Sequence, residues 1–365
     1  MRFELFVGSE AFWNAARADI AVARHRVLIQ AMTFEGDAAG LGVADAIGAA
    51  RAADRRVLVD DYTRHNLNDT LLAFSRDSAL QAEARATWAM FAAMAPQGVG
   101  VRVTNPVGRN PLRYVRRNHK KLLVMDDAVW IGGINFSDHN FAWHDMMLRI
   151  DDTAIADAMA RQFDCDWQGV PGPERVQLPG FDLVNLDGVG NAARLAPLLD
   201  RLASARRSIE VVSAYPSFPF VDAMAAAAQR GVPVTLYVPG PNNKPVMRDY
   251  LFAAHGKGPI QVRLLPEMTH VKAALIDGEA LVLGSCNFDF VAYRANAEYI
   301  AVLDDRALIA QFESALLGPA REAGVRPNAA RPGWRARLAP MALKIADALI
   351  AAVPPGKRIA EWAAP

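Results

Sequence analysis

Two stretches of this sequence repeat the same residue types at almost the same spacing. RRNHKKLLVMDDAVWIGGIN runs from Arg116 to Asn135, and MTHVKAALIDGEALVLGSCN from Met268 to Asn287. Each holds a histidine and a lysine two apart: His119 with Lys121, and His270 with Lys272. An aspartate follows, Asp126 or Asp277, then small residues that include Gly133 or Ser285, then Asn135 or Asn287. Two imidazoles, two ammonium groups and two amides suit a phosphodiester. A neutral imidazole can attack phosphorus and carry the phosphoryl group covalently. The other imidazole, protonated, can donate to the leaving oxygen and later take the acceptor's proton. The lysines and asparagine amides can hold the non-bridging oxygens, where charge stabilisation dominates. This chemistry requires neither a metal nor a cofactor.

A β-hairpin explains the spacing. Residues two apart on a strand share a face, so each histidine projects with its lysine. Apolar LLVM and AALI follow, and DDA and DGEA are plausible turns. Centring the first hairpin on Asp127 sets His119 opposite Asn135 and Lys121 opposite Gly133. Centring the second between Gly278 and Glu279 sets His270 opposite Asn287 and Lys272 opposite Ser285. Small neighbours of this kind leave room for a ligand, and two such hairpins could meet across a pseudo-twofold axis. Asp126 and Asp277 sit at the turns, away from the histidines, and take structural roles in this reading. Asp145 and Glu298, 26 and 28 residues after their histidines, each begin a predicted strand. A hydrogen bond from such a carboxylate fixes an imidazole's tautomer and stabilises its cation. Spacing does not say which acid serves which histidine.

The elements around the hairpins also repeat. FWNAARADIAVARHRVLIQAMTF and LAPLLDRLASARRSIEVVSAYPSF each read as an amphipathic helix followed by a strand. Another helix and strand follow in GVADAIGAARAADRRVLVDD and FVDAMAAAAQRGVPVTLYVPG. The expected fold is therefore α/β, with two similar α/β sandwich lobes and an active site at their interface. The first lobe spans 1–168 and the second 181–325, with GVPGPERVQLPG (169–180) as linker. Val57 precedes His119 by 62 residues, whereas Val234 precedes His270 by 36. The extra length falls at about 66–96 and reads as a helical insertion. Its Trp88, Met90, Phe91 and Met94 fit either an extra core helix or an apolar wall over a lipid site. Residues 326–365 form an amphipathic tail, basic at its start and interrupted by Pro340, suited to membrane contact or to packing on the body.

Composition sets outer limits. The chain has 365 residues, 52% hydrophobic, with a net charge of +1, so bulk charge calls for no polyanionic partner. Cys165 and Cys286 are too few for a disulfide framework. The N-terminus lacks a signal-peptide core, and no apolar run approaches bilayer-spanning length. A cytoplasmic protein that touches the membrane from that side is expected. GRNPLRYVRRNHKK clusters Arg109, Arg113, Arg116, Arg117 and Lys120 beside Lys121. Those side chains could grip anionic headgroups, track a nucleic-acid backbone beside Tyr114, or form a solvated face. His139 and His144 read as local hydrogen-bonding residues rather than metal ligands.

The doubled constellation resembles the phospholipase D superfamily, whose signature is His-x-Lys-x4-Asp followed by Gly-Gly/Ser-x-Asn. It stands here as HKKLLVMD…GGIN and HVKAALID…GSCN, within a resemblance covering roughly residues 3–305. The resemblance implies a two-lobed fold, no metal, and a phosphohistidine mechanism with His119 as nucleophile and His270 as acid and base. RNHKKLLVMDDAVWIGGIN and GSCNFDFVAYRANAEYIAVLDD are most similar to the bacterial cardiolipin synthase and phosphatidyltransferase branch. That branch implies a glycerophospholipid substrate, with an alcohol or water as acceptor. It often carries a transmembrane hairpin that is not seen in this sequence. The alternative within the superfamily is a nuclease; a non-enzymatic membrane scaffold fits the intact paired motif poorly. The oligomeric state is not fixed by these residues.

Overall fold

A computed structural model describes residues 1–108, 110–255, 258–327, 333–354 and 358–362. Residues Met1–Pro173, joined by the strand at 359–361, form one unit, and Glu174–Pro355 form another. In chain order the first unit contains β1 (Arg2–Val7), β2 (Arg26–Ala31), β3 (Asp54–Asp60) and a short hairpin of β4 (Asn66–Leu67) and β5 (Thr70–Leu71). It continues with β6 (Gly100–Thr104), β7 (Leu122–Met125), β8 (Ala128–Gly132) and β9 (Met146–Asp151). The second unit contains β10 (Arg175–Leu178), β11 (Phe181–Asp187), β12 (Ile209–Ser213), β13 (Val234–Pro239) and β14 (Gln261–Leu265). β15 (Lys272–Ile276), β16 (Ala280–Gly284) and β17 (Ala297–Leu303) complete it, and β18 (Ile359–Glu361) returns to the first.

The sheets run β1-β9-β8-β7-β2-β3-β6-β18 and β10-β11-β17-β16-β15-β12-β13-β14. Seven strands thus occur in one shared order, from β1 or β11 at one end to β6 or β14 at the other. β2, β3 and β6 are mutually parallel neighbours, as are β12, β13 and β14. The hairpin strands pair antiparallel beside them. Every residue of β7, β8, β15 and β16 is buried, so these strands read as continuous apolar runs instead of alternating ones.

Helices start where short polar side chains cap them. Asp37 accepts from Gly40 N at the head of Ala38–Ala49, and Asp152 from Ile155 N at the head of Thr153–Gln168. Asp77 caps the Ser78–Met94 helix, which lies between β3 and β6. The corresponding place in the second unit, between β13 and β14, holds the shorter Pro245–His255 helix. Met90, Phe91 and Met94 are buried in the first unit's core with Phe34, Val43 and Ile47, and only Trp88 among the four is part-exposed. The apolar wall considered for these residues is therefore core: their spacing puts them on the helix face that meets the sheet. β10 lies within the expected linker, and the segment from 326 is divided between the units. Its helix Trp334–Ala351 packs on the Pro245–His255 and Phe290–Arg294 helices, while β18 extends the first sheet. Pro340 does not interrupt that helix, which runs through it.

The hairpin register differs by one residue from the sequence expectation. Met125 pairs with Ala128 and Ile276 with Ala280, so the turns hold Asp126–Asp127 and Asp277–Glu279. Each is one residue shorter than expected. Asp126, Asp277 and Gly278 tighten them by adopting left-handed φ values of 47°, 58° and 69°. Continuing the register puts Lys121 opposite Gly132 and Lys272 opposite Gly284, with each asparagine one place beyond the residue opposite its histidine.

The turn aspartates tie the hairpins down. Asp126 accepts from the backbone N–H groups of Arg24, His25 and Arg26 at 2.8, 2.9 and 3.0 Å. Asp277 does the same for Arg206, Arg207 and Ser208 at 3.0, 2.6 and 3.1 Å. Despite partial burial, these bonds hold both carboxyls below the ordinary carboxylate range. Asp126→Ala leaves three backbone donors with water alone, and a loss of about 2–4 kcal/mol is expected from charge-assisted bonds of this kind. Urea unfolding monitored by circular dichroism checks this.

Candidate active site

The first half-site grows from the open end of β7 and β8. His119, Lys121, Asn135 and Asp145 are all buried. Lys121 Nζ donates to the His119 carbonyl at 2.9 Å, folding the side chain back on the segment that leads into β7. Asn135 Oδ1 accepts from Thr33 N at 3.2 Å, and its amide nitrogen donates to Asn140 Oδ1 at 3.3 Å. Both contacts fix the amide's orientation at the ends of β2 and β8. A Cβ on Gly133 would lie 2.4 Å from Asp145 Oδ1, so only glycine lets that carboxylate lie against the chain here. Asp145 Oδ1 also accepts from Met146 N at 2.8 Å.

The second half-site repeats the plan with different atoms. His270, Lys272, Asn287 and Glu298 are buried, and Lys272 Nζ donates to the His270 carbonyl. Ser285 occupies the place of Gly133, and its hydroxyl donates to Glu298 Oε2. Tyr299 N donates to the same hydroxyl at 3.0 Å. The Asn287 carbonyl accepts from Ser213 Oγ at 2.9 Å, tying it to the end of β12. In each unit a carboxylate thus lies beside the small residue two before the asparagine. The preceding glycine is the one set by backbone approach: a Cβ on Gly132 would lie 2.4 Å from the Met146 carbonyl oxygen. On Gly284, at φ 151°, it would lie 2.1 Å from that of Tyr299.

Several positioning residues escaped the sequence reading. Asp60, wholly buried, pairs with Arg117 at 2.8 Å and accepts from Asn118 N at 2.6 Å, one residue before His119. It also accepts from Tyr62 N at 2.8 Å and Asn105 Nδ2 at 3.1 Å. Burial pushes its carboxyl up, against the pull of Arg117. In the second unit the Tyr215 ring meets the His270 ring edge-on at 6.2 Å, and Lys244 Nζ lies 4.6 Å from the Tyr215 ring centre. The NNK triplet Asn242–Lys244, just after β13, was the only available signal for this group. Asp289 caps the Phe290–Arg294 helix through Ala292 N at 2.8 Å. Burial first, and Glu298 nearby, push it up to about 6.

The basic cluster is not a single surface. Arg117 is buried on Asp60, and Lys120 pairs with Asp166 at 2.6 Å inside the first unit. Neither can reach an external anion. Arg113 and Arg116 are half-buried, and Arg109 lies outside the described residues. His139 approaches Asp69 at 3.2 Å. Both cysteines are free thiols, and burial pushes Cys286 up.

The family described as "Cardiolipin synthase, PLD-like domain" matches residues 17–167 and 198–317, so both half-sites fall within it. The chain belongs to this family. Cardiolipin synthase A of Citrobacter koseri is 24% identical over 92% of this chain and 73% of its own length. Cardiolipin synthase B of Escherichia coli is 26% identical over 84% of this chain and 77% of its own. Among solved structures, the phosphatidylserine synthase of Haemophilus influenzae superimposes with a TM-score of 0.73. It is 17% identical and covers 96% of this chain and 95% of that one. The polyphosphate kinase of Porphyromonas gingivalis superimposes at 0.60 with 14% identity, over 95% of this chain and 56% of its own. Together these place the cardiolipin synthase family member in the phospholipase D fold.

Asp289 supplies a pH test. An unfolded chain releases this proton near the ordinary value of 3.8, while the folded one holds it to about 6. The folded state therefore binds more protons between those values, and its stability falls as pH rises through them. Asp289→Asn keeps a capping oxygen but removes the titration, so wild type should lose stability relative to the variant from pH 4 to pH 6. Paired urea titrations at those two pH values measure it.

Proposed function

We propose that this chain is a phosphatidyltransferase of the phospholipase D type, cleaving a glycerophospholipid phosphodiester and passing the phosphatidyl group to an alcohol or to water. The observation that carries the reading is the doubled half-site, in which each unit buries one histidine, lysine, asparagine and carboxylate around the end of one hairpin. Relatives named as cardiolipin synthases favour lipid over nucleic acid as substrate. Internal pairing of Arg117 and Lys120 removes part of the argument for a nucleic-acid track.

In this mechanism the His119 imidazole attacks phosphorus, and the bond from phosphorus to the headgroup oxygen breaks. Protonated His270 gives that oxygen its proton, leaving the phosphatidyl group on His119 and His270 neutral. The acceptor hydroxyl then loses its proton to His270 and attacks phosphorus. The nitrogen–phosphorus bond breaks, and both histidines return to their starting states. Lys121, Lys272, Asn135 and Asn287 hold the non-bridging oxygens. Asp145 and Glu298 orient the imidazoles and stabilise their cationic forms.

The substrate implies contact with a membrane, which we place on the cytoplasmic side. Among the described residues, no helix is long and apolar enough to cross a bilayer. Vesicles of phosphatidylglycerol and phosphatidylethanolamine, incubated with wild type and His119→Ala and analysed by mass spectrometry, test the reading. Cardiolipin or another transferred phosphatidyl product is expected from wild type only, with His119→Ala reduced at least about a thousandfold, as for loss of a nucleophile. Turnover of an oligonucleotide, with none of lipid, would overturn it.

A further inference from the structure

The Trp334–Ala351 helix is apolar on two opposite faces. Ala336, Ala339, Leu343 and Ile350 point inward and are buried. Trp334, Leu338, Met341, Ile345 and Leu349 recur at helical spacing on the other side and are 68%, 46%, 57%, 54% and 66% exposed. Packing within the unit explains only the inner face. An outer stripe of five large side chains along one helix is a contiguous patch, not a scatter of single exposed residues.

We propose that this outer stripe docks the protein flat on an anionic phospholipid surface; the proposal rests on the phospholipid reading of the active site. Charge favours that occupant. Arg337 is exposed along one border of the stripe, where Lys344, also exposed, turns its ammonium to the Phe218 ring. The helix's one acid, Asp347, is neutralised by Arg294 at 2.6 Å. A cationic border beside an apolar stripe is the pattern of an interfacial helix, and Trp334 at its head suits the headgroup level. Size argues against a second copy of the chain as occupant. A helix of 18 residues offers a stripe about 27 Å long and 10 Å wide, well short of the roughly 800 Å² per partner of a stable interface. Position links the surface to the chemistry. The docking helix packs on the Phe290–Arg294 helix, which Asp289 caps two residues after Asn287. Lys344 Nζ lies 4.1 Å from the ring centre of Phe218, which stacks on Phe290.

The test compares wild type with Leu338→Gln/Ile345→Gln, exposed changes that leave the inner face intact. Co-sedimentation with phosphatidylglycerol/phosphatidylethanolamine vesicles should fall about tenfold or more in the variant, from the apolar area lost. Turnover of dihexanoyl phosphatidylglycerol, dispersed below its micellar concentration, should stay at the wild-type level. Equal sedimentation of the two proteins would overturn the docking surface. So would a wild-type dimer and a monomeric variant in light scattering, which would assign the stripe to a second copy. Wild type that sediments with vesicles yet leaves the dispersed lipid intact would sink the catalytic reading instead, and sedimentation would still decide the docking.

Discussion

In each unit a carboxylate at a hairpin turn receives three backbone N–H groups from the segment entering the neighbouring strand. Asp126 binds the approach to β2, and Asp277 the approach to β12. This clamp fixes the closed end of the hairpin against the sheet, and with it the register of every pair up to the open end. A slip of one residue would turn the histidine and lysine to the opposite face. The turn also forces its aspartate into a left-handed backbone, which the short Asp side chain tolerates. Fold and site thus depend on the same carboxylate.

At the open end, the two units solve one electrostatic problem in two ways. A buried ammonium or carboxylate needs partners close by. Both lysines meet part of that need by folding back on the carbonyl of their own histidine. For the acids, the first unit uses a short aspartate against a glycine, and the second a longer glutamate bonded to a serine hydroxyl. A serine at 133 would meet the Asp145 carboxylate, and a glycine at 285 would leave Glu298 without its hydroxyl donor, so each pair reads as a unit. The adjacent glycines, Gly132 and Gly284, answer a different constraint, the carbonyl of β9 or β17 passing beside them.

Much of this could be read from residue types alone. The doubled motif, the helix–strand order around it and the α/β class all follow from periodicity and spacing. The hairpin register was missed by one residue because loop length depends on backbone φ at Asp126, Asp277 and Gly278, which sequence does not display. Asp60 was missed because it looks like any acid at a strand end; only the fold brings Arg117, Asn105 and Asn118 to it. Likewise, six basic residues in one run looked like a surface, yet two of them turn inward to acids 46 and 57 residues away in sequence. The tail's helix was legible, but not that it would bury one apolar face and expose the other.

The proposed reaction passes through one covalent phosphohistidine, formed on His119. Phosphatidylglycerol radiolabelled at phosphorus, mixed with enzyme and quenched in alkali, followed by peptide mapping, tests it most directly. Label is expected on His119 alone, and absent in His119→Ala. Label on both histidines, or on neither while turnover proceeds, would contradict it.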